Sequence, residues 1–277
     1  MTDAAPVLFD RRLLATRLAR ARTLGPAPFL LDRVAEEMAE RLHAVLREFN
    51  AIADIWTPGH ALPPERFADV VQVGIDPSGN EALNLAPGSL DLAVSALALQ
   101  FANDLPGVLA QIRRALKPDG LFLAALTGGD TLTELRQSFA SAEAEIEGGV
   151  SPRVAPAADL RDLGALLQRA GFALPVTDVD RVVVRYDHAF ALMQDLRRMG
   201  ATNVLIERRR APLRRATLGR MAQIYAERFS DPDGRIRATF EIVWLSGWSP
   251  HDSQQQPLKP GSAKASLEDA VKGLGTK

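Results

Sequence analysis

Apolar residues return at helical spacing at the start of the chain. Leu8, Phe9, Leu13, Leu14 and Leu18 share one side of residues 8–22 and arginines take the other, which predicts an amphipathic helix. A second helix is expected over 28–49, with Pro28 in its first turn and a stripe of Leu30, Leu31, Val34, Met38, Leu42, Val45 and Leu46. The period changes at Ala51. Residues 51–56 form an apolar run stopped by Thr57-Pro58-Gly59, and 70–76 form another stopped by Pro77-Ser78-Gly79. Both read as buried strands followed by turns.

The pattern is clearest in the middle. Residues 90–97 read as a strand, and Asp104 caps a helix with Leu105, Val108, Leu109, Ile112 and Leu116 inward. Lys117-Pro118-Asp119-Gly120 turns the chain into a strand over 121–126. Strand, helix, turn and strand make a βαβ unit, hence a parallel sheet, and the near-continuous apolar strands predict cover on both faces. Asp159 opens a helix through Leu160, Leu163, Leu166 and Leu167 that Gly171 closes. A strand is expected over 176–186, helix throughout 188–228 with turns near Gly200 and Pro212, and an alternating last strand over 236–247. No internal repeat is visible. The organisation expected is N-terminal helices over 1–50 packing on the core, an α/β domain over 51–250 with 188–228 as a helical insertion, and a polar, weakly packed tail over 251–277.

Composition narrows the chemistry. With 47% apolar and 24% charged residues in 277, the chain is an ordinary globular mixture. A net charge of −1 gives no electrostatic footprint for nucleic acid. The absence of cysteine excludes disulfides, thiolate metal sites and a cysteine nucleophile. No apolar run approaches the roughly twenty residues of a membrane helix. The first residues do not read as a signal peptide, and Asp3 and Asp10 interrupt the arginine-rich start that a transit peptide would need. A bacterial cytoplasm is the simplest compartment. The run 207–215 is locally basic; a solvated helical face is expected, and peripheral attachment to an acidic partner or membrane surface is the alternative. Histidines 43, 60, 188 and 251 are scattered without metal-like spacing, so no metal site is expected and the histidines read as surface or loop residues.

Ligands of parallel α/β sheets bind beyond the carboxyl ends of the strands. There the first strand ends in Asp54 and a loop that retains Gly59. The second ends in Asp76, which either accepts from ribose hydroxyls or simply makes an ordinary turn with Pro77-Ser78-Gly79. The third ends at Ser95 and Leu97, whose backbone could line a cofactor. Phe101 either covers a substrate or fills the core. Gly128-Gly129-Asp130-Thr131 either binds an anion or simply caps a helix. Glu143, Glu145 and Glu147 read as a solvated helix face. No catalytic residue stands out.

The centre of the chain resembles class I S-adenosylmethionine-dependent methyltransferases. The likeness is carried by Leu90-Asp91-Leu92-Ala93-Val94-Ser95, by Asn103-Asp104-Leu105-Pro106 and by Leu116-Lys117-Pro118-Asp119-Gly120. Phe9-Asp10-Arg11, Gly128-Gly129-Asp130-Thr131-Leu132, Glu134-Leu135-Arg136, Glu147-Gly148-Gly149-Val150-Ser151-Pro152 and Met199-Gly200-Ala201-Thr202-Asn203 narrow it. So do Asp162-Leu163-Gly164 and Arg169-Ala170-Gly171-Phe172. Together they look like the methyltransferase-like assembly factors of respiratory complex I, whose mitochondrial member hydroxylates an arginine of an iron–sulfur subunit. The malonyl-carrier methyltransferases of biotin synthesis are more distant. The resemblance implies a Rossmann-like, seven-stranded, mostly parallel sheet with an antiparallel last strand and helices on both faces. It also implies S-adenosylmethionine as cofactor, bound by Asp54, Gly59, Asp76, Ser95 and Leu97. The implied partner is a protein, an iron–sulfur subunit of complex I, and a eukaryotic chain would work in the mitochondrial matrix. The cofactor loop departs from the pattern. Trp56, Pro58 and His60 stand where alternating glycines are expected, and Gln100-Phe101 replaces a His-Trp pair. Only one strand is legible between Asp54 and Asp91, so the cofactor half is expected to be degenerate. Three readings follow: an enzyme using S-adenosylmethionine to modify a protein, a non-catalytic assembly factor that keeps the fold as a binding module, and a small-molecule methyltransferase as in biotin synthesis.

Overall fold

The computed structural model describes residues 7–255. The expected polar tail falls largely on residues 256–277, outside the described residues. In chain order the elements are α1 (Arg11–Thr23), α2 (Phe29–His43), β1 (Ile52–Ile55), β2 (Val70–Val73), β3 (Leu90–Ala96), α3 (Leu105–Ala115), β4 (Leu116–Thr127), α4 (Thr133–Glu147), α5 (Leu160–Arg169), β5 (Ala173–Tyr186), α6 (Ala189–Arg198), α7 (Arg215–Phe229) and β6 (Ile236–Trp248).

The strands form one sheet in the order β2-β1-β3-β4-β6-β5. The β1–β2, β1–β3 and β3–β4 pairs are parallel, and β6 runs antiparallel to both β4 and β5. This is the expected mostly parallel sheet with an antiparallel last strand. The count differs: the sheet has six strands where the resemblance implied seven. The stretches 56–69 and 74–89 carry neither helix nor strand, so the shortfall lies in the cofactor half.

Strand side chains alternate between two cores, as a period of two demands. Leu121, Leu123 and Ala125 of β4 and Ile242 and Trp244 of β6 face a layer built by α2, α4, α6 and α7. Phe122, Ala124, Leu126, Val243 and Leu245 face the opposite layer, built by α3 and α5. Each fully buried large side chain contributes about 1.5–3 kcal/mol. The βαβ unit forms: Asp104 accepts a hydrogen bond from the Gly107 amide at 2.9 Å, with Pro106 in the first turn of α3. But Leu116-Lys117-Pro118-Asp119-Gly120, expected as a helix end and a turn, already belongs to β4, with Asp119 at a left-handed φ of 62°.

Four further sequence expectations need correction. The helix expected over 28–49 ends at His43, where α2 runs out of buried positions; beyond it Leu46 adopts a left-handed φ of 52°. The segment expected to be helical over 188–228 is broken across 199–214, because Gly200 ends α6 with φ +73° and the chain then pairs Leu205 antiparallel to Phe9. The basic run therefore lies mostly in a loop, and its side chains turn inward to acids. Arg208 bonds Asp10 at 3.3 Å, and Arg209 bonds Glu147 at 2.8 Å. The acidic face of α4 is likewise not simply solvated. Glu143 is buried, bound to Ser151 and Arg153, and Glu147 accepts from Thr217 at 2.6 Å.

Candidate functional site

Strand order reverses between β1 and β3, and the loops after β1, β2 and β3 meet beyond that point. Asp54, only 1% exposed, has both oxygens committed to its own loop. It accepts from the Thr57 hydroxyl and from the Ala61 amide at 2.8 Å. Burial pushes its carboxyl up from the usual range, and those two hydrogen bonds pull partly against that. The Thr57 hydroxyl in turn accepts from the Ala96 amide at 2.9 Å, and the buried Ser95 hydroxyl donates to the Ile55 carbonyl at 2.7 Å. Asp54, Thr57 and Ser95 thus clamp the β1 loop to β3. Asp76 accepts from the Ser78 amide at 2.7 Å, and this turn holds its carboxyl below the usual range. Leu97 has a left-handed φ of 53°, and its amide donates to Ala125 at 2.7 Å. Gly59 sits against α2, where an added Cβ would come within 3.0 Å of the Leu31 side chain.

The crevice between the three loops is filled by two side chains. Trp56 keeps a glycine-like backbone, φ +62°, and its side chain is buried among apolar residues including Leu83, Ala98 and Leu99. Arg11, the first residue of α1, is 3% exposed and lies 4.0 Å from the centre of the Trp56 ring. Its Nη1 approaches the Phe101 carbonyl and the Glu81 carboxylate, each at 3.4 Å. Nε and Nη2 have no hydrogen-bond partner among the described residues. Burial lowers the affinity of this guanidinium for its proton, with Glu81 and Asp76 opposing. The preceding residues are tied down as well. Asn103 Oδ1 accepts from the amides of Leu8 and Phe9, both at 2.8 Å, and Phe9 meets Phe101 edge-on with ring centres 5.8 Å apart.

Next to this crevice lies a cavity of about 1420 Å³. It opens at the carboxyl ends of β1, β3 and β4 through Pro58, Gly59, His60, Leu97, Gln100, Phe101, Thr127 and Gly128. Its walls come from α1, α2, α4, α6 and the 199–204 segment, with Leu31, Leu135, Phe139, Met193 and Leu196 among the apolar lining. Several cationic side chains of the wall brace it. Arg17 donates to the Asn203 carbonyl, Arg198 to the Gly25 carbonyl at 2.7 Å, and Arg153 to Glu143 at 2.8 Å. Gln100 donates to the Leu97 carbonyl at 2.8 Å, while its Oε1 is buried with no partner among the described residues.

Of the five sequence candidates, the cavity wall contains Gly59 and Leu97; Asp54 and Ser95 are buried beneath it, and Asp76 lies outside it. Phe101 lines the cavity while packing on Phe9. Asp130 does not cap α4 through its side chain, because Leu132 stands at the cap with φ +54°; Asp130 pairs with Arg181 instead. His60 lines the cavity and His188 caps α6 by accepting from the Ala191 amide at 3.0 Å. No group of three or more His, Asp or Glu side chains among the described residues is placed to hold a metal ion. Arg11 enters the sequence reading only as part of the motif Phe9-Asp10-Arg11, with no site role, and Arg153 not at all; a cation near an apolar residue is common on surfaces and marks neither as part of a site.

Comparison with known proteins agrees with this geometry. Residues 54–124 match the model of a methyltransferase domain. The YcgJ protein of Bacillus subtilis superposes with a TM-score of 0.50 at 12% identity, covering 78% of this chain and 99% of that one, and shares the fold. The malonyl-[acyl-carrier protein] O-methyltransferase of Laribacter hongkongensis (strain HLHK9) is 42% identical over 65% of this chain and 58% of its own length. The human mitochondrial arginine-hydroxylase NDUFAF5 is 44% identical over 96% of this chain and 84% of its own. On a six-stranded methyltransferase sheet with its motifs in register, this chain belongs to the arginine-hydroxylase NDUFAF5 family.

Proposed function

We propose that this chain is a protein-directed assembly factor: it receives a segment of an iron–sulfur subunit of respiratory complex I in the cavity at the carboxyl edge of its sheet. The observation that carries the reading is the cavity itself, large, mostly apolar in lining and walled by the elements that hold the narrow family motifs. Its apolar lining excludes water from an inserted side chain. The Gln100 Oε1 acceptor, lacking a partner, suits an N–H donor on that segment. Arg20 and Arg197 at the wall have no carboxylate within ion-pair distance among the described residues, which favours a segment with acidic flanks. The compartment follows from the reading: the bacterial cytoplasm, or the mitochondrial matrix in a eukaryote. No helix among the described residues is long and apolar enough to cross a membrane.

S-adenosylmethionine is the cofactor of the fold, and the residues at β1 do not fit it here. A nucleoside needs close backbone approach in that loop, which glycines allow. Here a tryptophan ring and a guanidinium stand in the crevice, and the Asp54 carboxylate is bonded within its own loop. The reading therefore includes no methyl-transfer step.

The test is genetic and biochemical. Deleting the gene should abolish NADH–quinone activity of complex I in membranes, and the full chain should restore it and co-purify with the iron–sulfur subunit. Normal complex I in the deletion strain would refute the reading. The match to a malonyl-carrier methyltransferase favours a second reading, methyl transfer in biotin synthesis. Biotin auxotrophy of the same strain would support that alternative, and growth without biotin would remove it.

A further inference from the structure

We infer that the chain carries its own occupant of the nucleoside crevice: the N-terminal segment through Arg11, stacked on Trp56, stands where the family fold would seat the adenosyl group. The inference rests on the reading above that this loop does not hold S-adenosylmethionine, and it names the cause and the means of reversal.

The position is fixed by contacts to all three loops at the switch point. After β1, the Trp56 ring lies 4.0 Å beneath the guanidinium. After β2, Glu81 pairs with it at 3.4 Å, and an added Cβ on Gly79 would lie 3.9 Å from the Arg11 Cβ. After β3, the Phe101 carbonyl accepts from it at 3.4 Å. A ligand in the crevice between these loops would have to displace the arginine.

Two independent costs coincide here. Trp56 is a bulky residue in the left-handed region, a conformation that costs about 1–2 kcal/mol outside glycine. Arg11 is a buried cation at the positive end of a helix, with two nitrogens unpartnered among the described residues. Each residue offsets part of the other's cost, the ring giving the cation its face and the cation covering the ring, and Glu81 and the Phe101 carbonyl add to this for Arg11. The segment is also clamped from outside. Asn103 binds the Leu8 and Phe9 amides, and the Asp10 amide donates to Val204 and the Ile206 amide to Leu8. The crevice plug and the cavity wall at 203–206 are thereby one assembly, so the cavity is shaped without a cofactor.

Titration calorimetry with S-adenosylmethionine and S-adenosylhomocysteine reads the claim. The unaltered full chain should give no heat at millimolar ligand. The variant Arg11→Ala/Trp56→Gly/Pro58→Gly should bind either ligand at least tenfold more tightly than the unaltered chain. Measurable binding by the unaltered chain overturns the inference, and so does a folded variant that does not bind. Amide hydrogen exchange on the unaltered chain covers the case of a variant that fails to fold. The hydrogen-bonded amides of Asp10, Leu13 and Leu14 should exchange as slowly as those of β3 with no ligand added, and fast exchange there overturns the plug. None of these readouts depends on complex I, so they can fail while the assembly role stands, and the reverse.

Discussion

The two edges of the sheet differ in kind. β1 and β2 are four residues each, while β5 and β6 have 14 and 13 and pair along most of their length. All of β1 is buried, but the two central residues of β2 are exposed, so the strand beyond the switch point contributes little to either core. The short strands lie on the side that would carry a nucleoside. The sheet tolerates them because both cores are built on β3, β4 and β6. A cofactor loop is retained by selection on binding, whereas a central strand is retained by burial.

That contrast can be broken by substitution. The largest effect is expected for Phe122→Ala in β4, whose ring is fully buried and stacks on Phe172 at 5.3 Å. It should cost about 3–5 kcal/mol in urea unfolding, while Val71→Ala in β2 should stay within about 0.5 kcal/mol. Equal losses would show that β2 carries more of the fold than its burial allows. Next comes Glu134→Ala. Glu134 accepts from the buried Thr239 amide at 3.1 Å and from its hydroxyl at 2.5 Å, tying α4 to β6. Leaving those donors unpaired should cost about 1–3 kcal/mol, with Glu134→Gln recovering part of it.

Two buried carboxylates, one on each side, should respond to pH with opposite sign. Although burial raises the Glu143 pKa, hydrogen bonds from Ser151 and the Arg153 ion pair outweigh it and hold the carboxyl below its usual range. Its contribution to stability is then present above the unfolded-state pKa near 4.5 and lost as pH falls through the lower folded value. Asp54 is the reverse. Burial raises its pKa above 3.8, so ionising it opposes folding, and the penalty appears as pH rises from there through the folded value. Thermal melts should show Glu143→Gln destabilising at neutral pH and converging with the parent in acid. Asp54→Asn should match or exceed the parent at neutral pH and lose that advantage in acid. The same sign for both would refute the assigned environments. The smallest effect is expected for Asp178→Ala on β5. It removes an exposed partner of Arg41, which keeps Glu37 and its stacking on Trp244, so the loss should be at most about 1 kcal/mol and shrink in salt.

Much of this was legible from residue order. The βαβ unit from Leu90 to Leu126 declared itself through an apolar run and a capping aspartate, both local signals, while the Lys-Pro-Asp-Gly turn read between helix and strand is the start of β4 itself. The degenerate cofactor half was legible as missing glycines and missing elements. The break between α6 and α7 was legible only as turns near Gly200 and Pro212; that the chain stays out of helix between them was not, because Leu205 is held there by a long-range pairing with Phe9. The candidate site divided too. Gly59 and Leu97 reach the cavity, while Asp54 is drawn into hydrogen bonds with Thr57 and Ala61 of its own loop and Ser95 into one with Ile55 of the neighbouring strand.

By itself, the order of residues determined the α/β class through periodicity and caps, and the family through motifs within short windows, with the antiparallel last strand following only as what that family resemblance implies. Only the tertiary structure decided what occupies the crevice and what borders the cavity. Arg11 and Trp56 are 45 positions apart (56 − 11), and nothing local to either specifies that a charged side chain will leave water to lie on a ring. That choice is made by the summed packing of three loops and a helix, a free energy that no short window contains.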